Sequence, residues 1–284
     1  MHTSCINLSL EYEIYSATHF MFNLESAFSD DQRVVEERLT ISPSMKVRNF
    51  CDERNGNRFI RLDASRGILS VNYYARIELN TVPVPPHLEE SPVTSVPDNV
   101  LRYLLPSRYC ESDTLGAEAR QLFGQLPPGI SRVRAIERWI RESISYMPGS
   151  SKSTTTAQDV FVQRAGVCRD FAHLGITLCR ALNIPARLVV GYVHFVDPPE
   201  DFHAVFEAWL GGRWVLFDAT GMAPTERLVR IGTGRDAKDV AFATIFGNVK
   251  MLKKILTVEE GDSTPESTDE LANAEPLPVS QQTA

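Results

Sequence analysis

Two hydrophobic periodicities divide the chain. Up to about residue 82 the apolar positions alternate with polar ones, as in Leu8-Ser9-Leu10-Glu11-Tyr12-Glu13-Ile14-Tyr15 and in Ile68 to Leu79. A period of two with aromatic and β-branched residues predicts half-buried strands. Asn55-Gly56 predicts a turn before a short strand at Arg58–Leu62, and the whole stretch predicts five to seven antiparallel strands. Beyond residue 98 the spacing changes to three and four. Helices are expected near Thr114–Phe123 and over Ser131–Ser145, where Val133, Ile136, Trp139, Ile140 and Ile144 share one face. The threonines of the polar run Ser150–Thr156 can cap a short helix that approaches Gly166.

The most apolar stretch follows. From Cys168 to Leu182 the pattern predicts a buried helix, with Phe171, Leu174, Gly175, Leu178 and Leu182 on one face, ended by Asn183 and Pro185. Ala186–Phe195 reads as a nearly continuous apolar strand. Two more strands, Phe202–Leu210 and Arg213–Asp218, flank Gly211-Gly212, the sequence of a tight hairpin. The predicted fold class is therefore α+β: a β-rich N-terminal domain at 1–85, a Pro-rich linker at 86–97 and a mixed core at 98–257. The core would be a Cys-bearing helix packed on an antiparallel sheet. Residues 258–284, rich in Ser, Thr, Pro and Glu, read as an acidic disordered tail.

Composition changes this picture little. The chain has 284 residues, 43% hydrophobic and 23% charged, which is ordinary for a globular protein. Seven of its 36 acidic residues lie after Lys254 with no Lys or Arg among them, so the net charge of −7 sits in the tail and the body is formally neutral. That argues against a nucleic-acid partner. No apolar run reaches the ~18 residues of a membrane span, and the start lacks the pattern of a secretory signal, so a cytoplasmic protein without membrane partners is expected. The five cysteines are odd in number and lack zinc spacing, so free thiols and neither metal nor cofactor are expected.

The hairpin carries the first chemical expectation. With a two-residue loop Leu210 pairs with Arg213, and Asp218 then falls opposite Val205 on the same face. His203 is its diagonal neighbour on that face. Cys168 in a first helical turn faces unpaired N–H groups and the positive dipole end, a setting that favours thiolate over thiol. Thiolate, imidazole and carboxylate together suit nucleophilic acyl transfer on amides, with Cys168 attacking, His203 moving the proton and Asp218 fixing the imidazole tautomer. The Cys168 backbone N–H is one candidate oxyanion donor; Gln163 and Gln158 are the side chains considered for the second. Other groups compete. His173 lies off the Cys168 face of the helix and is expected to be buried and hydrogen-bonded, and His194 to be an exposed strand end. Asp170 in the first turn complements the dipole. His19 and His87 stand apart from any cluster.

Three ordered segments also carry a family pattern. Gly166-Val167-Cys168-Arg169-Asp170-Phe171-Ala172-His173-Leu174, then His203-Ala204 with Glu207-Ala208-Trp209, then Trp214 to Thr220, resemble the core motifs of the bacterial transglutaminase-like superfamily, described as cysteine proteases. Leu105–Cys110 and Gly232–Val240 are similar to further segments, and the β-rich start to the family's N-terminal domain. The resemblance covers roughly residues 4 to 250. It implies a papain-like core with Cys168 as nucleophile, His203 as base and Asp218 as orienting acid. One departure follows Asp239, where prolines are common in the family and Val240-Ala241-Phe242-Ala243 stands here. The resemblance leaves the acceptor open. The expected reading is a hydrolytic protease, peptidase or amidase on a protein or peptide substrate. The alternatives are amine transfer of the transglutaminase type and a non-catalytic peptide-binding module. Oligomeric state is not encoded in any pattern here.

Overall fold

The computed structural model describes residues 2–195 and 200–261. Its first part contains six strands: β1 (His2–Ile14), β2 (Thr18–Phe22), β3 (Gln32–Ser42), β4 (Val47–Asp52), β5 (Asn57–Ala64) and β6 (Gly67–Leu79). The alternation in β1 buries Ile6, Leu8, Leu10, Tyr12 and Ile14. β1 runs antiparallel to β6, and β6 to β3, while β2, β5 and β4 build a second sheet. Their inner faces meet in one core that joins Leu8, Leu10 and Tyr73 to Phe20, Phe22, Ile60 and Leu62. Two such sheets packed face to face bury both apolar sides at once. The turn at Gly56 needs its glycine: φ is +69°, and a Cβ would stand 2.0 Å from the Phe28 carbonyl oxygen.

The Pro-rich connection is pinned rather than free and includes a single 3-10 turn at Val93–Ser95. The Leu88 carbonyl accepts from the Ile130 N–H, and that of Glu89 from the Gly211 N–H. Then come α1 (Asp98–Leu101), α2 (Gly116–Phe123), α3 (Ile130–Ser143), β7 (Ser145–Tyr146), α4 (Ala157–Gln163), β8 (Ala165–Gly166) and α5 (Cys168–Ala181). α3 ends two residues before the sequence expectation because Ile144 turns extended and the Ser145 N–H bonds to the Arg164 carbonyl instead of to the helix. Thr156 caps α4 through a reciprocal box with Asp159. α5 is buried on all sides from Asp170 to Arg180. Gly175 lets it approach the next sheet closely: a Cβ there would lie 2.7 Å from the Phe206 ring.

That sheet contains β9 (Ala186–Tyr192), β10 (His203–Leu210), β11 (Arg213–Phe217) and β12 (Val229–Gly234) in the order β11-β10-β9-β12. β9 stops at Tyr192, three residues short of the expected Phe195. Two strands remain, β13 (Ala243–Phe246) and β14 (Val249–Glu260), and neither belongs to the core. β13 pairs with β2, and β14 with β1 along nearly its whole length. The sequence division at 98–257 is corrected accordingly: the chain leaves the sandwich, builds the core and returns to close the sandwich. The free edge of β1 is the physical reason, because unpaired strand groups need partners and β14 supplies them while burying Leu256 and Val258. The tail assignment from 258 is corrected too, since β14 continues to Glu260; the expected disorder beyond 261 lies outside the described residues. Among the described residues no helix is long and apolar enough to cross a membrane.

Candidate active site

Cys168 is the first residue of α5, partly exposed where the helix behind it is buried. The entry to the helix is held by Asp170, whose Oδ2 accepts from the Val167 N–H at 2.9 Å and whose Oδ1 accepts from Arg169. Gly166 makes room for that carboxylate, since a Cβ at 166 would come within 2.7 Å of the Asp170 Cβ. Asp170 is thus engaged at the helix start. The Cys168 thiol points to the Phe202 carbonyl, with Sγ 3.9 Å from the oxygen.

The hairpin has the register of a two-residue loop. Leu210 pairs with Arg213 and Phe206 with Phe217, and Gly211 and Gly212 take φ of +56° and +78° as a type I′ turn demands. His203 opens β10 and Asp218 follows β11. His203 Nε2 lies 3.1 Å from Asp218 Oδ2, with both residues buried. The Cys168 sulfur also acts on this imidazole, leaving Nδ1 as the ring nitrogen not engaged by Asp218. Burial opposes a charge on the His203 ring. The hydrogen bonds to Asp218 and to the Cys168 sulfur, with the charges of both, reverse that and hold its pKa up at about 10. Burial also pushes Asp218 upward, but bonds from His203 and Thr220 outweigh it and the carboxyl titrates below its ordinary value. Its Oδ1 accepts from the Thr220 N–H at 2.9 Å and the Thr220 hydroxyl at 2.7 Å, and its backbone carbonyl from Arg141. His203 and Asp218 are thus bonded to each other, and Cys168 lies against the residue that precedes His203.

The group facing the Cys168 N–H was not among the expected ones. Gln158 and Gln163 lie exposed on α4. It is the Tyr146 phenol, which interacts with the Cys168 thiol and backbone. β7 places it there by pairing parallel with β8, Tyr146 opposite Gly166, while the ring leans on Phe171. Burial, then the charges of Cys168 and Asp201, push the phenol above its ordinary value, so at neutral pH it is a hydroxyl with a proton to donate.

Comparison with known proteins bears on the family and the fold. Residues 117–219 match the family model of the transglutaminase-like superfamily, and residues 4–93 match that of the bacterial transglutaminase N-terminal domain. The crystal structure of a "putative cysteine protease" from Cytophaga hutchinsonii is similar at a TM-score of 0.87 and 39% identity, over 93% of this chain and 92% of that one. The chain belongs to the transglutaminase-like superfamily. An uncharacterized protein of Mycobacterium leprae is 32% identical over 157 residues, 52% of this chain, and the match spans only 55% of that relative. An uncharacterized protein of Mycobacterium tuberculosis H37Rv is 27% identical over 237 residues, 74% of this chain and 75% of its own.

Within this transglutaminase-like core the other titratable groups have structural surroundings. His173 is fully buried, its Nε2 accepting from the Ala237 N–H at 3.1 Å and its ring stacked on Tyr109. Burial lowers its pKa to about 4. His194 bonds Glu200 beyond the end of β9, and His19 bonds Asp63 on the sandwich. Glu207 bridges Arg187 at 2.6 Å and Arg230 at 2.7 Å across β9, β10 and β12. Burial alone would raise it, but the two guanidinium groups take its pKa down to about 2. Among the described residues no cluster of His, Cys, Asp and Glu is arranged to hold a metal ion.

Proposed function

We propose that the protein cleaves amide bonds of a protein or peptide substrate through a Cys168–His203–Asp218 triad, with water as the final acceptor. The observation that carries this reading is the double engagement of one buried imidazole, by the Asp218 carboxylate at Nε2 and by the Cys168 sulfur at a helix N-terminus. His203, held as a cation, keeps the proton taken from the thiol while the Cys168 sulfur adds to the carbonyl carbon. The oxyanion that forms accepts from the Cys168 N–H and from the nearby Tyr146 hydroxyl. His203 then returns the proton to the leaving amine, and a thioester remains on Cys168. Water, deprotonated by His203, releases the acid and restores the thiol. Asp218 stays ionised throughout and keeps the ring in register.

The same thioester would pass to a primary amine if one were bound in place of water, which is the transglutaminase reaction. The 39% identity to a protein described as a cysteine protease favours hydrolysis. The test is to incubate purified protein with a peptide library, with and without a primary amine in excess, and read products by mass spectrometry. New carboxyl termini or acids formed by wild type and absent with Cys168→Ala support hydrolysis. Amine adducts in place of acids would move the assignment to transamidation, and no product from any peptide together with an unreactive Cys168 would favour the binding module.

A further inference from the structure

β14 belongs to the sandwich, yet it reaches into the cleft of the core. Lys254, which pairs with Leu10 of β1, extends its Nζ to Asp201 Oδ2 at 2.6 Å. Asp201 Oδ1 in turn accepts from the Phe202 N–H at 2.8 Å. The Phe202 carbonyl is the acceptor of the Cys168 thiol, and the next residue is His203. The Phe202 ring is stacked on Phe242 with centroids 4.7 Å apart, which fixes the peptide between them. A second bond of the same kind stands beside the first, from the Val258 N–H to Glu200 Oε2 at 2.6 Å. The short segment that presents both the thiol's acceptor and the base is therefore held by the last strand of the other domain.

Asp201 has a cost as well as a use. Its carboxylate is separated from the Cys168 sulfur by one peptide unit, within roughly 10 Å by backbone dimensions, about one Debye length at physiological salt. Its charge is felt at the Tyr146 phenol. An uncompensated anion there would oppose a thiolate. Among the described residues, Asp170 pairs with Arg169, Asp218 with His203, Glu137 with Arg141 and Glu200 with His194. The partner of Asp201 comes from the sandwich.

We infer that Lys254 and Asp201 form a positioning pair for the reaction, in which Lys254 of the sandwich neutralises Asp201 so that Asp201 can hold the Phe202–His203 segment without opposing the Cys168 thiolate. The inference rests on the triad reading and adds a task for the N-terminal domain. It makes a prediction that a merely structural tether does not. Removing the cation and removing the anion must shift the reactivity of Cys168 in opposite directions along the pH axis.

The experiment is the rate of iodoacetamide alkylation of Cys168 against pH, read by peptide mass spectrometry on the full chain. Lys254→Gln should move the profile toward higher pH and Asp201→Asn toward lower pH, each by about half a pH unit at low salt. The double variant and Lys254→Arg should return close to the wild-type profile. In about 1 M salt, where the Debye length is ~3 Å, the two shifts should shrink. Shifts of both single variants in the same direction, or no shift in either beside a wild type that still alkylates below pH 7, would overturn the pair. If Lys254→Gln does not fold, Lys254→Met supplies the cation-free arm, with Lys254→Arg and Asp201→Glu as charge-conserving controls. A wild-type Cys168 no faster than Cys51 would remove the triad reading first, and this inference with it.

Discussion

Two histidines are buried in the core, His173 within α5 and His203 at the start of β10, and their surroundings push them in opposite directions. His173 accepts from the backbone after β12 and stacks on the ring of Tyr109, and burial, the largest influence on it, lowers its pKa to about 4. His203 is comparably buried and its pKa stands at about 10, because Asp218 and the Cys168 sulfur both act on the ring. An anion does lie near His173, namely Asp236. That carboxylate is occupied by the N–H groups of Tyr109 and Lys238 and does not reach the ring. Burial alone makes a histidine inert, whereas burial with two directed acceptors makes it a held cation. The difference separates a packing imidazole from a catalytic one more sharply than exposure does.

Exchanging the two roles should give the largest effect. His203→Ala is expected to reduce peptide turnover by about 10³-fold, within the range usual for a lost general acid–base group. His173→Gln should leave kcat within about threefold and lower the unfolding free energy by about 1–3 kcal/mol, the cost of a misfitted buried hydrogen bond, measured by urea denaturation. Equal losses of turnover in the two variants would erase the distinction.

Tyr146→Phe comes next. It should lower kcat about 10²-fold, as for one lost oxyanion donor, while iodoacetamide alkylation of Cys168 stays near the wild-type rate because that reaction forms no oxyanion. Parallel loss of both would make Tyr146 part of the thiol's activation instead.

A smaller effect is the pH dependence of stability. For His203 the folded pKa lies above the unfolded one, so its stabilisation is complete below about 6.5 and disappears as pH rises toward 10. For His173 the folded pKa lies below, so the unfolded chain binds the extra proton and stability falls as pH drops from about 6.5 to 4. Melting temperatures from pH 4 to 10 should show the alkaline slope flattened in His203→Asn and the acid slope flattened in His173→Gln. The smallest expected effect is on packing: Gly175→Ala should destabilise by about 1–3 kcal/mol, since its Cβ would press on Phe206 between the helix and the strand that carries His203.

The cleft was legible in sequence where local rules are strict. Gly211-Gly212 admits few turns, and the turn fixes register, so the relation of His203 to Asp218 follows from counting residues. A helix opening at Cys168 follows from Gly166 and the apolar period behind it. Tyr146 is invisible to the same rules: its placement depends on a two-residue parallel ladder with Ala165-Gly166, too short to leave a periodic trace. The return of β14 to β1 is illegible for another reason. Its alternation is consistent with a strand, but pairing across more than two hundred residues is chosen by a free sheet edge and not by local pattern. Lys254 and Asp201 share that fate, since only the closed sandwich brings them together.

The central claim is that Cys168 and His203 act as one reactive pair, and the alkylation rates of the five cysteines at pH 6 test it most directly. Cys5, Cys110 and Cys179 are buried, and burial pushes the Cys110 thiol up to about 12; Cys51 is exposed on the sandwich and serves as the accessible control. The account predicts that at pH 6 Cys168 alone is modified quickly in the wild type. In His203→Ala its rate should fall to that of Cys51. Equal rates for Cys168 and Cys51 in the wild type, with no change in His203→Ala, would contradict it.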